Sequence, residues 1–205
     1  MQSKGHVSGI ETTKGKIKTK TLGMVVAGNS SVLADKAGFR LPIESVALQA
    51  LVSEPVKPCM DVVVMANTVH GYMSQSDKGE MVIGGGTDGF NNYTQRGSFH
   101  HIEETVRALI ETFPMISRLK MLRQWGGIVD VTGDRSPIIS KTPLSGCFIN
   151  CGWGTGGFKA IPGSGWAMAE TMATGSPSIL ASAFSLDRFK EGRFVDESVA
   201  AGVAH

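Results

Sequence analysis

Long hydrophobic runs and dense clusters of charge are scarce in this sequence, and each shortage excludes a class of function. No apolar stretch reaches the length of a membrane-spanning helix, and Met1 to His6 lack the apolar segment of a secretory signal. The 20 Lys and Arg residues nearly balance the 18 Asp and Glu residues, and no basic run resembles a nucleic-acid-binding patch. We therefore expect a cytoplasmic protein that binds neither membranes nor nucleic acid.

Cysteine and recognisable catalytic groupings are also scarce. The three cysteines, Cys59, Cys147 and Cys151, are an odd number, and the spacing of the last two is not that of a common zinc site. We expect buried, reduced thiols and no metal site. No Ser-His-Asp arrangement, Cys-His arrangement or carboxylate pair stands out, which argues against hydrolytic chemistry.

The remaining composition is that of a globular protein with both helices and strands. Of the 205 residues, 41% are hydrophobic and 19% are charged. Residues 7–21 have the pattern of a β-hairpin around Lys14-Gly15, and Leu22 to Gly28 predicts a buried strand before a helix that Asn29 can cap. Strands are predicted at 45–53, 62–66, 71–75, 81–85 and 119–131, with the spacing of an antiparallel sheet, and a helix at 99–113.

The most informative stretch runs from Gly146 to Thr174. A short buried strand is predicted over 146–150 and a helix over 160–174, with Pro162 in its first turn. Between them lie four glycines in six residues, at positions 152, 154, 156 and 157. Glycines let a flat ligand approach the backbone, and a helix N-terminus offers free N–H groups and a positive dipole end. The pattern indicates a site for a nucleotide phosphate or for the edge of a reduced flavin, and it is also typical of a tight turn with close helix–strand packing.

Several motifs in and around this stretch resemble one protein family. They are Cys151 to Lys159, the Pro-Gly-Ser-Gly-Trp that begins at Pro162, Trp125 to Asp130, and Ser136 to Ser140. Together they resemble the β subunits of heterotetrameric sarcosine oxidases, within the FAD-dependent glycine-oxidase and D-amino-acid-oxidase group. The resemblance covers nearly the whole chain.

The resemblance implies an α/β fold of the FAD-dependent amine-oxidoreductase type. Residues 1–43 and 132–175 would belong to the FAD-binding domain, residues 44–131 to an α+β substrate domain with an antiparallel sheet, and residues 176–205 to a C-terminal tail. No Gly-x-Gly-x-x-Gly motif follows a strand near the N-terminus, although an ADP moiety requires one. We therefore expect the chain to correspond to the C-terminal half of a longer β subunit.

The resemblance also implies the reaction and its partners. The complete enzyme would oxidise sarcosine to glycine at FAD and pass electrons to FMN and O₂, with formation of hydrogen peroxide and of formaldehyde or 5,10-methylenetetrahydrofolate. It would contain α, γ and δ subunits, NAD bound to α, and an FMN-linked histidine that lies outside this chain. The alternatives are a dimethylglycine or other N-methyl-amino-acid dehydrogenase, and a truncated, non-catalytic module that docks on an α-like subunit.

Candidate site residues follow from the same comparison. In the family, the lysine that matches Lys159 contacts the substrate carboxylate, and the backbone around Gly154, Thr155, Gly156 and Gly157 contacts FAD. The alternative for Lys159 is an ordinary surface lysine with its stem over apolar neighbours.

Two further pairs are candidates. His70 and Tyr72 share one face of a predicted strand and would line the substrate pocket, or simply pack there. Arg123 and Asp130 flank Trp125-Gly126-Gly127, a region that approaches FMN at the α/β interface in the family. Arg123 could neutralise a phosphate there, or the two residues could form a salt bridge at a strand edge.

Overall fold

The computed structural model describes residues 1–66 and 71–195, so the predicted site residue His70 lies outside the described residues. The elements in chain order are β1 (Gln2–Ser3), β2 (His6–Val7), β3 (Gly9–Thr12), β4 (Gly15–Lys18), β5 (Leu22–Met24), α1 (Ser30–Lys36), β6 (Ile43–Pro55), β7 (Val64–Ala66), β8 (Gly71–Gln75), β9 (Glu80–Thr87), α2 (Phe99–Thr112), β10 (Met121–Thr132), β11 (Ile138–Lys141), β12 (Cys147–Cys151), α3 (Gly157–Thr174) and α4 (Arg188–Glu191).

The chain forms two compact units. Among the described residues, one contains residues 1–45 and 129–195, and the other contains residues 46–66 and 71–128. Both boundaries fall inside long strands, β6 and β10. Among residues 1–66 and 71–195, no helix combines the length and the hydropathy needed to cross a membrane.

The first unit is built on the sheet β11-β12-β5. Strand β12 pairs antiparallel with β11 and parallel with β5. All five residues of β12 are buried, as expected for a central strand covered on both faces. Helix α3 packs on this sheet through Ala167, Met168 and Thr171. Gly23 on β5 permits this contact, because a Cβ atom there would lie 3.0 Å from the Met168 side chain.

The second unit is the predicted antiparallel sheet. Its strand order is β10-β6-β9-β8-β7, and the pairs β6–β9, β9–β8 and β8–β7 are antiparallel. Helix α2 covers the sheet as predicted, and its buried Ile102 and Leu109 join a core with Leu51, Met73 and Ile83. The Ser98 hydroxyl caps α2 by accepting the His101 N–H.

Two local predictions were wrong. Helix α3 begins at Gly157 rather than Ala160, because Gly156 already has helical backbone angles, so Pro162 lies beyond the first turn. Asn29 occupies the N-cap of α1, but its side chain makes no capping hydrogen bond. After α3 the chain forms a 3₁₀ turn, Ser182–Phe184, and the separate short helix α4.

Candidate functional site

The glycine-rich segment is a turn between β12 and α3 that only glycine fits well. Gly152 and Gly154 have φ angles of +76° and +51°, which favour glycine. A Cβ atom at Gly152 would also lie 2.7 Å from the Thr132 methyl group. The turn closes with a hydrogen bond of 3.0 Å from the Gly156 N–H to the Trp153 carbonyl. The backbone therefore makes a tight turn between the end of β12 and the start of α3.

Asp130, near the end of β10, lies against this turn. Its carboxylate accepts the Gly152 N–H, and its backbone carbonyl accepts the Gly154 N–H at 2.8 Å. Asp130 is only 2% exposed. Burial raises the pKa of its carboxyl group, while the N–H groups of Gly152 and Trp153 act in the opposite direction.

The outer side of the turn is open. A Cβ atom at Gly154 would meet no atom of the described residues within 4 Å. The Thr155 N–H makes no hydrogen bond within residues 1–66 and 71–195. The first N–H groups of an α-helix also lack partners within the helix, and the first turn of α3 contains no acidic residue. These donors suit a planar group with an electron-rich edge, so the turn fits the pyrimidine edge of a flavin.

Lys159 lies in the first turn of α3, just past the glycine turn. It is the third residue of the helix, and its side chain is exposed. The neighbouring Phe158 is 89% exposed and Ile161 is 59% exposed. The start of α3 therefore presents one cation within an apolar surface.

Trp153 connects the turn to β12, and two buried cysteines lie on that strand. The Trp153 indole N–H donates to the Asn150 side-chain oxygen at 2.6 Å, which ties the turn to β12. Cys147 and Cys151 are buried free thiols, as predicted, and burial raises the pKa of both. Cys59 is exposed, which corrects the expectation that all three thiols are buried.

Tyr72 lies in the second unit, on β8. It pairs with Met65 on β7 and with Gly84 on β9. A Cβ atom at Gly84 would lie 2.5 Å from the Tyr72 hydroxyl oxygen, so the ring packs directly over this glycine. Burial raises the pKa of the Tyr72 hydroxyl. Its neighbour in the predicted pair, His70, is outside the described residues.

Arg123 and Asp130 do not form the salt bridge that was one reading of the sequence. Arg123 is exposed and belongs to the second unit, and the part of the chain that is described contains no ion pair or hydrogen bond from its side chain. The Asp130 carboxylate is instead engaged by Gly152. The structure thus brings Asp130 and Lys159 into the same unit as the glycine turn, and it places Tyr72 and Arg123 in the other.

Sequence reasoning missed an ion pair between Arg188 and Asp134. The two side chains are 2% and 4% exposed and form two parallel hydrogen bonds of 2.7 and 2.9 Å. Arg188 also donates to the Ser136 carbonyl at 2.8 Å. The segment around α4 is therefore attached to the loop between β10 and β11. Elsewhere, no group of three or more His, Cys, Asp or Glu residues among the described positions could hold a metal ion.

Comparison with known proteins identifies the family of this chain. A family model described as FAD dependent oxidoreductase matches residues 1–171. Sarcosine oxidase subunit beta of Rhodobacter capsulatus is 77% identical over 98% of this chain, and the match covers 48% of the relative. The corresponding subunit of Arthrobacter sp is 53% identical over 97% of the chain and 49% of the relative. The chain spans about half the length of these curated relatives.

Solved structures share the fold. The L-proline dehydrogenase of P. horikoshii is 25% identical, with a TM-score of 0.80 over 93% of this chain and 52% of that one. The glycine oxidase of Geobacillus kaustophilus is 19% identical, with a TM-score of 0.76 over 88% of this chain and 48% of that one. Since the family model covers most of the sequence, including the glycine turn and nearly all of α3, the chain belongs to the FAD dependent oxidoreductase family.

Proposed function

We propose that this chain is part of a sarcosine oxidase β subunit, in which the glycine turn and the start of α3 hold FAD. The observation that carries the proposal is the pairing of two features. One is a glycine turn with free N–H groups at the start of an 18-residue helix, and the other is 77% identity to a sarcosine oxidase subunit beta over 98% of the chain. A cation at the third helical position, Lys159, adds to the positive end of the helix dipole.

Different residues of this chain would contact the flavin and bind the substrate. The backbone of Gly154 to Gly157 would lie against the flavin, because the glycines remove the Cβ atoms that would keep it away. Lys159 would bind the carboxylate of sarcosine and hold the amino acid in a reactive orientation. FAD, when bound, accepts the electrons removed from the amine.

Further roles belong to the same proposal. Tyr72 and His70 would line the substrate pocket from the antiparallel sheet. Arg123 would neutralise a phosphate of FMN, and electrons would pass from FAD through FMN to O₂. The subunits α, γ and δ, with NAD on α, would complete the enzyme, and tetrahydrofolate would accept the one-carbon unit.

These roles correspond to a division of the chain into domains. We assign residues 1–43 and 132–175 to the FAD-binding domain, residues 44–131 to the substrate domain, and residues 176–205 to a C-terminal tail. The boundaries of the two compact units lie close to two of these divisions, at residues 45 and 129.

The test is Lys159→Met in a reconstituted full-length assembly. Loss of one partner of a partly buried ion pair costs about 2–5 kcal/mol, or roughly 30- to 3,000-fold in kcat/KM. We expect the variant to keep FAD but to bind carboxylate inhibitors weakly and to reduce its flavin slowly with sarcosine in the absence of O₂. An amine without a carboxylate should be affected much less.

The matched control is Lys141→Met, which removes another exposed lysine of the same unit, on β11. It should leave flavin reduction unchanged. Carboxylate binding as tight in Lys159→Met as in the wild type would move the substrate anchor elsewhere. A wild-type assembly without the visible absorption of a flavin would favour the non-catalytic docking module. Faster reduction by dimethylglycine than by sarcosine would favour the dehydrogenase alternative.

A further inference from the structure

Asp130 is a buried carboxylate without a positively charged partner. At 2% exposure it would ordinarily be paired with a cation, since burial of an unpaired charge is costly. Within the described residues it forms no ion pair with Lys, Arg or His, and its side chain accepts from the backbone of Gly152. Asp130 is therefore costly to bury, and the hydrogen bond that its carboxylate makes is to the turn.

Asp130 holds the turn at two points. Its carboxylate accepts the Gly152 N–H, and its carbonyl oxygen accepts the Gly154 N–H at 2.8 Å. These two glycines are the ones with positive φ angles, +76° and +51°. Charged acceptors form the stronger hydrogen bonds of proteins, so the carboxylate is the firmer of the two attachments.

This anchoring decides which N–H groups of the turn remain available. Asp130 takes those of Gly152 and Gly154, its carboxylate also faces that of Trp153, and the Gly156 N–H closes the turn on the Trp153 carbonyl. The donors that remain are the Thr155 N–H and the first N–H groups of α3. They follow one another in the sequence and begin where a Cβ atom at Gly154 would meet open space.

We propose that Asp130 is the positioning residue of the flavin-binding turn, acting through the backbone of Gly152 and Gly154 and not by contact with a cofactor. This inference rests on the proposed function only for the identity of the ligand. It replaces the cofactor contact that the family resemblance implies for Asp130. The internal carboxylate satisfies the donors on the inner side of the turn, so that those on its outer side meet the flavin.

Asp130→Asn separates the role of the charge from the role of shape. Asparagine has nearly the same size, but one of its two terminal groups is an NH₂ donor, which cannot accept an N–H. The variant therefore loses the charge and keeps only one terminal oxygen that can accept an N–H of the turn. The matched control is Asp88→Asn in the second unit, since Asp88 is 9% exposed and likewise accepts hydrogen bonds, from Gln49 at 3.2 Å and Asn92 at 2.6 Å.

Hydrogen–deuterium exchange on the full-length assembly, prepared without flavin, tests the anchor independently of the cofactor. In the wild type, the amides of Gly152 and Gly154 should exchange slowly and that of Thr155 quickly. In Asp130→Asn, exchange at Gly152 should rise on the order of 10-fold, as expected when a charged acceptor is replaced by a neutral one, and Gly154 should follow as the turn loosens. Strand β12 should keep its protection, and Asp88→Asn should change nothing in the turn. Rapid exchange of Gly152 in the wild type would overturn the proposal even if the variant failed to fold.

The visible spectrum of the full-length assembly tests the positioning. Asp130→Asn should shift the flavin absorption bands and weaken flavin retention at least 10-fold, while Asp88→Asn, with a comparable loss of stability, should do neither. A flavin spectrum and affinity unchanged in Asp130→Asn would make the residue purely structural and refute the proposal. A wild-type assembly that binds no flavin would refute the proposed function instead, and the exchange experiment would still decide whether Asp130 is the anchor.

Discussion

Arg188 is the largest fully buried side chain in the described structure, and its environment accounts for that burial. Its guanidinium group meets the Asp134 carboxylate in a paired arrangement, donates to two backbone carbonyls, and lies 4.1 Å from the centre of the Phe189 ring. A buried pair is stabilising only relative to a state in which one partner has been removed. The pair therefore fixes the position of α4 more than it raises overall stability.

The residue-scale prediction is that Arg188→Met lowers the free energy of unfolding by about 3–5 kcal/mol, because Asp134 is left buried without its partner. Urea titration of the chain, followed by tryptophan fluorescence, measures this loss. Arg193→Met is the control, since its pair with Glu191 is exposed and such pairs contribute about 0–1 kcal/mol. Equal effects of the two substitutions would contradict the assigned role of Arg188.

The same pair predicts how stability responds to acid. Burial acts to raise the pKa of Asp134, but hydrogen bonds from Arg188 and Val195 outweigh it and hold that pKa below its ordinary value. A carboxyl group with a depressed pKa contributes stability above the pKa of the unfolded chain, about 3.9, and loses it as the pH falls through the folded value. The wild type should therefore lose stability more steeply below about pH 4 than Asp134→Asn does, in the same urea titration.

The sequence predicted residues in the turn better than residues that act on it. The glycines at 152 and 154 were singled out because their spacing has a physical meaning in the backbone. The Asp134–Arg188 pair joins positions 54 residues apart, and no local pattern connects them. The sequence marks Asp130 only as the end of the motif that begins at Trp125. A sequence does not reveal that an aspartate is buried and turned toward a backbone N–H group.

At the scale of elements, Gly84 on β9 leaves room for the ring of Tyr72 on the neighbouring strand β8. Tyr72 lies directly opposite Gly84, and a Cβ atom on that glycine would lie 2.5–2.7 Å from atoms of the phenol group. Real Cβ atoms do not approach that closely, so any larger residue must displace Tyr72 or separate the strands. The glycine thus determines where the tyrosine ring lies on the sheet.

We therefore expect Gly84→Ala to destabilise the chain by about 1–3 kcal/mol, as overpacking typically does. Thermal unfolding followed by circular dichroism measures the loss. In a Tyr72→Ser background the same substitution should cost much less, because the ring that clashes is gone. Gly127→Ala on β10 is a control, since a Cβ atom there would meet nothing within 4 Å of the described residues. Equal losses with and without the Tyr72 ring would refute this account of the strand contact.

The elements themselves were largely predictable, and their ends were not. Alternation of apolar residues located β6, β8 and β9 and their antiparallel sheet, because one face of each strand is buried. The start of α3 was placed too late, since Gly157, Phe158 and Lys159 are not a typical opening for a helix. Tertiary packing of the later turns against β12 stabilises a helix that local propensity would begin three residues further on.

At the scale of the whole molecule, α3 is apolar on more than the face that it buries. Ala167, Met168 and Thr171 face the sheet, while Phe158, Ile161 and Trp166 are 89%, 59% and 55% exposed. A helix that is hydrophobic on most sides is typical of an interior position between two layers. In the described part of the first unit, the sheet and the segment around Ala181 pack on the buried face of α3, and Phe158, Ile161 and Trp166 stay exposed.

Expressed by itself, this chain should aggregate, because exposed apolar surface of this kind associates with itself. Replacing Phe158 by Ser together with Ile161 by Gln should reduce aggregation in light scattering at least several-fold. The free energy of unfolding should change by no more than about 0.5 kcal/mol, since neither side chain is buried. The control, Ile17→Gln on the hairpin strand β4, removes a single 55% exposed residue and should have little effect. Undiminished scattering in the double variant would show that aggregation begins at another surface.

The attachment of the α4 segment to Asp134 has a practical consequence for labelling. The Val195 N–H donates to Asp134 at 3.2 Å, two residues after Thr132, the last residue of β10, whose methyl group lies against Gly152. A dye attached through a cysteine at Phe194, which is 62% exposed, would be held near the glycine turn, and Cys59→Ser would remove the one exposed native thiol. Because flavins absorb visible light, quenching of such a dye would measure cofactor docking optically, before any turnover takes place.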